Sequence, residues 1–176
     1  GRGGPMFGLS PDYGKFSITV DLTPKGLEEY RRVARLCLSY IAMLKQSAYP
    51  AFHFQEEKAV AALNEIYADR GEGGGYASTL ARRLSTYPME VAERVQFIYA
   101  REDSAAYRKF LSYLRPDNMM ATLVAKGLEA DTLTEPHWGI PYSYVEDDAF
   151  YVELLDADVP EALHLPAPNP FVPTQA

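Results

Sequence analysis

The chain has a single cysteine, Cys37, among its 176 residues. One thiol excludes an internal disulfide and a cysteine-rich zinc site. Disulfide-free proteins suit the cytosol or the periplasm equally, so the compartment stays open. Long apolar runs are missing too: none approaches the roughly 20 residues that a transmembrane helix needs, which argues against membrane insertion. The start, Gly1-Arg2-Gly3-Gly4-Pro5, lacks the apolar centre of a signal peptide and reads as the cut end of something longer. Basic residues are nearly absent from the last third. Residues 116–176 carry 1 basic and 11 acidic side chains, against 8 and 6 in residues 1–60 and 8 and 7 in residues 61–115. That balance argues against nucleic acid, which needs Lys and Arg facing phosphate. The acidic third reads either as a solvated surface or as a face that docks against a basic partner.

What is present describes a soluble globular chain. Apolar residues make up 47% and charged residues 23%, and the length suits one domain with a core. Lys15 to Leu22, K-F-S-I-T-V-D-L, alternates with period two. Phe16, Ile18, Val20 and Leu22 share one face, which predicts a strand with one buried side. Phe7 to Ser10 is its expected antiparallel neighbour, with Pro11-Asp12-Tyr13-Gly14 as the turn.

Helices follow. Thr23 suits an N-cap and Pro24 the first helical position, with Glu28 and Glu29 near the positive end. Leu27, Tyr30, Ala34, Cys37, Ile41 and Leu44 repeat at three and four residues, widened by Val33, Leu36, Tyr40 and Met43; this predicts a helix to about Gln46. Cys37 lies within that stripe, which makes it a small core residue rather than a nucleophile. A second helix is expected from Pro50 to about Ala68, with Phe52, Ala59, Val60, Leu63, Ile66 and Tyr67 inward. Gly71-Glu72-Gly73-Gly74-Gly75 reads as a flexible connection; no G-K-[ST] follows it, so it is not a phosphate-binding loop. Further helices are expected at Tyr76–Ser85, Met89–Ile98 and Ser104–Leu114, the last capped by Asp103 or Ser104. Pro116-Asp117-Asn118 is a turn, and Met119 to Lys126 reads as another strand. Beyond Gly127 the periodicity is weak, with one or two helical turns expected in Asp147–Leu155. So few strands cannot cover these helices, which implies missing partner strands before residue 1.

The tail is proline-rich: Pro166, Pro168, Pro170 and Pro173 fall within eight residues. Proline fixes φ, removes a backbone donor and biases its predecessor to extended space. The segment reads as a linker or as a surface tie that docks Leu165, Asn169, Phe171 and Val172.

Catalytic chemistry is not visible in these residues. The three histidines, His53, His137 and His164, are scattered, and neither H-x-x-E-H nor H-E-x-x-H occurs. His53-Phe54-Gln55-Glu56-Glu57 is the nearest miss, with His53, Glu56 and Glu57 on one helical face. The second histidine of the motif is replaced there by Glu57, and two acids at a helix start serve the macrodipole. Trp138 reads as a packing anchor, His164 as exposed, and Asp147-Asp148 as solvated acids rather than an acid–base pair. No catalytic or metal-binding residue is assigned.

Several pieces together resemble a known pattern. They are V-D-L-T-x-x-G-L (Val20 to Leu27), P-x-x-x-F-x-E (Pro50 to Glu56), Y-A-S-x-L-A (Tyr76 to Ala81) with Tyr87-Pro88, F-L-S-Y-L-R-P-D-N-M (Phe110 to Met119), T-E-P-x-x-G-x-x-Y (Thr134 to Tyr142) and L-P-x-x-N-P-F-V-P (Leu165 to Pro173). In this order they resemble the second, non-catalytic domain of the insulin-degrading-enzyme and pitrilysin family, the insulinase-like inverzincins. The resemblance covers about residues 7–174, and the last piece is the most specific.

The resemblance implies an α+β fold: a helix-rich partial domain with a small antiparallel sheet packed against long helices, truncated at its N-terminus. Residues 1–126 would be the core of the second peptidase-like domain, lacking its first strands and helix. Residues 127–176 would be an extended acidic and Pro-rich segment leading to an interdomain linker. In such enzymes the first domain holds zinc through H-x-x-E-H plus a distal glutamate, and the second supplies chamber wall. The parent would thus be a zinc metallopeptidase, whereas this segment would bind no zinc and catalyse nothing. Its partners would be the remainder of the peptidase and extended peptide substrates. The resemblance places substrate docking at Phe7, Gly8, Leu9 and Ser10. A scaffold protein of the same fold without peptidase activity is the alternative.

Overall fold

The computed structural model describes residues 2–10, 13–69, 71, 73–128, 132–155 and 158–172. It shows a helix-rich α+β chain. Two strands, β1 (Arg2–Ser10) and β2 (Tyr13–Thr19), precede α1 (Pro24–Glu28), α2 (Tyr30–Gln46), α3 (Ala51–Ile66), α4 (Gly73–Leu84), α5 (Met89–Ala92) and α6 (Ser104–Tyr113). A short pair, β3 (Leu133–Thr134) and β4 (Pro141–Tyr142), and a last helix, α7 (Asp148–Leu155), complete the order. The chain forms two compact units, Gly1–Met43 with Tyr113–Leu163 and Leu44–Ser112 with His164–Ala176. No helix among the described residues is long and apolar enough to cross a membrane.

In the first unit, β1 and β2 form an antiparallel pair, as the alternation predicts, but β1 begins earlier, at Arg2. Tyr13 pairs with Ser10 inside the ladder rather than turning; Pro11 and Asp12 lie outside the described residues. β2 ends at Thr19, so Val20 and Leu22 leave the strand. The face expected to be buried is incompletely covered: Phe16 and Leu22 are half-buried, and Ile18 and Val20 are exposed. A two-stranded ribbon has no second layer of its own.

The long helix starts as expected. The Thr23 Oγ1 accepts a hydrogen bond from the Gly26 N–H at 3.1 Å, with Pro24 in the first turn. It is not one uninterrupted helix. Glu29 leaves the helical region (φ −105°, ψ 25°) and separates α1 from α2. Of the predicted stripe, Ile41 and Met43 are buried, while Leu36 is exposed. Ser39, outside the stripe, is also buried.

α7 packs on the Pro116–Asn118 turn and on the start of α2. Phe150 and Leu154 are buried, and the Tyr30 and Phe150 rings meet edge-on at 6.5 Å. The Arg31 guanidinium lies 4.8 Å from the centre of the Phe150 ring and pairs with Asp147; Arg35 pairs with Glu153 at 2.9 Å. Asp147 also caps α7, accepting from the Phe150 N–H at 3.0 Å. Asp147 is therefore a structural cap, not a solvated acid. Met119 to Lys126 is a second correction. The stretch is not in a ladder with any described residue, and Met120 and Val124 are exposed.

The second unit is built on α3, α4, α5 and the body of α6. Ala61, Ala92 and Leu111 are its buried apolar residues among those described, so small side chains mark where elements approach closely. Arg94 makes a two-pronged pair with Glu65 (2.7 and 3.0 Å), joining α3 to the Val95–Phe97 turn. Tyr49 and Tyr107 meet edge-on at 5.2 Å, as do Phe54 and Tyr99 at 5.9 Å. α3 runs Ala51–Ile66, but Val60, Ile66 and Tyr67, expected inward, are exposed. Gly73, Gly74 and Gly75 form the first turn of α4 instead of a loop, while Gly71 takes a left-handed φ of 62°. The helix expected over Met89–Ile98 divides into α5 and a 3₁₀ turn, Val95–Phe97. Asp103 caps α6 through the Ala106 N–H at 2.8 Å.

Candidate peptide-docking edge

The four residues assigned to substrate docking, Phe7, Gly8, Leu9 and Ser10, all fall on β1. Backbone geometry separates Phe7, Gly8 and Leu9 from Ser10. The ladder runs Arg2↔Thr19, Gly3↔Ile18, Gly4↔Ser17, Pro5↔Phe16 and Met6↔Lys15, then resumes at Ser10↔Tyr13. Between the last two pairs β1 has Phe7, Gly8 and Leu9 where β2 has only Gly14. β1 therefore bulges at these residues. A bulge interrupts regular pairing, bends the strand and leaves extra residues off the ladder.

The sheet order is β1–β2, so the far edge of β1 has no strand neighbour among the described residues. Pro5 agrees with an edge position, since proline donates nothing to a ladder and is confined to edges and bulges. An open edge presents N–H and C=O groups in register for one more strand. Extended peptides bind proteins by filling such an edge. At the bulge, Gly8 carries no Cβ and allows close approach of a second backbone.

The other candidates do not converge on a catalytic centre. His53 stacks on Phe52 at 4.3 Å and lies 3.9 Å from Glu56 through Nδ1. The Glu56 carboxylate is already engaged: Oε1 accepts from the Asn169 N–H at 2.7 Å. Glu57 is exposed. Among the described residues, no three His, Cys, Asp or Glu side chains gather closely enough to hold a metal ion. The donor set on this helix, one imidazole beside a carboxylate spent on a backbone N–H, does not fit a zinc ion. His164 is exposed, as expected, and its Nδ1 contacts the Leu165 carbonyl at 2.9 Å. Cys37 is half-buried, and burial pushes its thiol up, away from nucleophilic character.

Trp138 overturns an expectation. It is not a packing anchor, being 82% exposed at the tip of the β3–β4 hairpin. Periodicity could not have shown this, because the hairpin is held by local hydrogen bonds.

Comparison with known proteins decides the kinship. The family model for the middle or third domain of peptidase M16 matches residues 66–176. The chain belongs to the M16, insulinase-like peptidase family. It is 29% identical to insulin-degrading enzyme of Homo sapiens over 90% of its length, and 29% identical to A-factor-processing enzyme of Saccharomyces cerevisiae over 90%. Nardilysin-like protein of Arabidopsis thaliana is 23% identical over 90%. The M16 chain spans 16% of the length of each of these relatives. No solved structure matches it significantly. The resemblance drawn from ordered motifs is thus a true kinship, and the helix-rich α+β architecture agrees with it.

Proposed function

We propose that this middle-domain segment is a non-catalytic wall and substrate-docking element of an insulinase-like zinc metallopeptidase that degrades peptides. One observation carries the reading: β1 has no strand neighbour on its far edge among the described residues and bulges at Phe7–Leu9, in a chain whose relatives include an insulin-degrading enzyme and an A-factor-processing enzyme. The segment contributes a docking strand at Phe7, Gly8, Leu9 and Ser10. An extended substrate adds to it by backbone hydrogen bonds, so recognition is tolerant of side-chain identity. Zinc and its water-activating base belong to another domain of the parent, and no chemical step is assigned to residues here.

Residues 1–126 form the core of the second peptidase-like domain in this reading. Residues 127–176 form the acidic and Pro-rich segment that leads to an interdomain linker. The Asn169–Glu56 hydrogen bond supports a tail laid along its own domain.

The test is kinetic and uses the full-length parent. In Gly8→Val a branched side chain would obstruct an approaching backbone. KM for peptides long enough to reach β1 should rise several-fold, with kcat unchanged and short peptides unaffected. Equal changes for both lengths remove the docking role. A parent that binds long peptides but cleaves none favours the scaffold alternative.

A further inference from the structure

The β3–β4 hairpin displays aromatic and apolar side chains on a braced support. Leu133 pairs with Tyr142 and Thr134 with Pro141. The Glu135 N–H donates to the Ile140 carbonyl at 2.9 Å, and the Gly139 N–H donates to the Glu135 carbonyl at 3.0 Å. The Glu135 carboxylate accepts from the His137 N–H (3.0 Å) and the Trp138 N–H (2.6 Å). Gly139 supplies the left-handed φ, 65°, that closes the tip. The Thr132 hydroxyl donates to the Ser143 hydroxyl at 2.5 Å, and the Tyr142 and Tyr144 rings meet edge-on at 5.6 Å. The Glu135 carboxylate is thus spent on holding the loop's shape.

That shape exposes what proteins usually cover. Within eight residues Trp138, Ile140, Tyr144 and Val145 are 82, 58, 77 and 77% exposed. Grouped exposed apolar residues mark interaction surfaces, and rigid aromatic anchors dominate binding energy. Electrostatics selects the occupant. Residues 127–163 contain ten acidic residues and no Lys or Arg. Arg31 and Arg35 engage Asp147 and Glu153, while Glu146, Asp148, Asp158 and Glu161 remain exposed. An indole face in such surroundings favours a guanidinium or ammonium group above it. Residues 1–60 and 61–115 are close to electroneutral, so these residues of a second copy carry no strong net positive charge to match it.

We propose that the Trp138 hairpin docks a separate polypeptide through a basic segment in which Arg or Lys alternates with apolar residues, the cation lying on the Trp138 ring. This surface lies apart in sequence from the β1 edge and does not rest on the role proposed for it.

The experiment uses the full-length protein with a chelator present to suppress cleavage. Fluorescence anisotropy follows a labelled twelve-residue Arg/Lys–apolar peptide and its Asp/Glu counterpart. The basic peptide should bind and weaken steadily with added salt, and the acidic one should bind at least ten-fold more weakly. Trp138→Ala should cost about five-fold in affinity for the basic peptide. The paired change Glu146→Gln with Asp148→Asn should flatten the salt dependence while retaining the fold, as circular dichroism checks. In a Gly8→Val background, which removes any share of binding due to β1, the preference for the basic peptide and its loss in Trp138→Ala should both persist. Equal binding of both peptides overturns the proposal, as does an unaltered affinity in Trp138→Ala; binding of neither peptide means that the parent's other residues cover the hairpin and overturns it too. Loss of binding in Gly8→Val but not in Trp138→Ala places the peptide on β1 and also overturns it.

Discussion

The Glu56 carboxylate holds the backbone N–H of Asn169 at 2.7 Å, across 113 residues of sequence. Pro166, Pro168 and Pro170 donate nothing, so Asn169 is one of the few donors in its stretch. The Asn169 side chain then accepts from the Phe171 N–H at 3.0 Å, and its carbonyl from the Val172 N–H at 3.3 Å. One carboxylate and one turn therefore hold the tail at Asn169 to Val172. Phe171, expected to dock, is instead 90% exposed, whereas Leu165 and Val172 are half-buried.

Glu56→Ala should release this tie. A hydrogen bond to a charged group contributes about 1.5–3 kcal/mol, and partial exposure of Glu56 places the loss near the lower end. Limited proteolysis should cut residues 163–172 faster in Glu56→Ala, with Glu56→Gln between that variant and the wild type. An unchanged cleavage rate would mean that the tail is held by other contacts.

Phe150→Ala should be among the most damaging substitutions in the first unit. Phe150 is only 6% exposed and packs on Tyr30 and Arg31. Removing a buried Phe costs about 3–5 kcal/mol. Chemical denaturation measures the loss directly. Substitutions of Arg35, whose side chain is half-exposed, should cost well under that, since surface ion pairs contribute about 0–1 kcal/mol.

Cys37→Ser should lower stability without altering any activity of the parent. The half-buried thiol would become a hydroxyl needing a partner, at about 1 kcal/mol. Burial raises the folded-state thiol above its ordinary value. Its stabilising contribution is thus complete below the unfolded pKa and is lost as pH rises through the folded pKa. Alkylation of native protein should need more alkaline pH than alkylation of denatured protein. Equal pH profiles would contradict a buried thiol.

Asp103 provides the opposite sign. The Ala106 N–H, and then Arg101, hold its carboxyl below the usual carboxylate range. Its contribution is present above the unfolded value of about 3.9 and is lost as pH falls through the folded value. Thermal melts between pH 2 and 5 should show a steeper acid loss in the wild type than in Asp103→Asn. Parallel curves would show that the cap is not ionic.

Local chemistry was the legible part of this fold. Thr23 and Asp103 cap helices where their sequence neighbours required it, and an antiparallel neighbour for the alternating strand was legible, although it pairs through Arg2–Met6 and Ser10 while Phe7, Gly8 and Leu9 leave the ladder. Tertiary cover was not legible. Periodicity shows which face is apolar but not whether a neighbour exists, so Ile18, Val60 and Ile66 were expected inside and lie outside. Met119 to Lys126 has strand composition yet no described partner, because a ladder needs a second strand. The glycine run misled for another reason. Three consecutive glycines oppose helix by about 1 kcal/mol each, yet they occupy only the first turn of α4, where helical context overrides propensity. At the candidate edge, the four docking residues were named from kinship. Their bulge depends on counting residues between paired positions, which no single-strand pattern reveals.

Hydrogen exchange along β1 tests the docking reading most directly. In the full-length protein, with cleavage suppressed, a saturating long peptide should slow amide exchange within residues 2–10, strongest near the Phe7–Leu9 bulge, as edge N–H groups gain partners. A short peptide should not. Unchanged exchange across β1 while the long peptide is demonstrably bound would contradict a docking strand and leave β1 as structural wall alone.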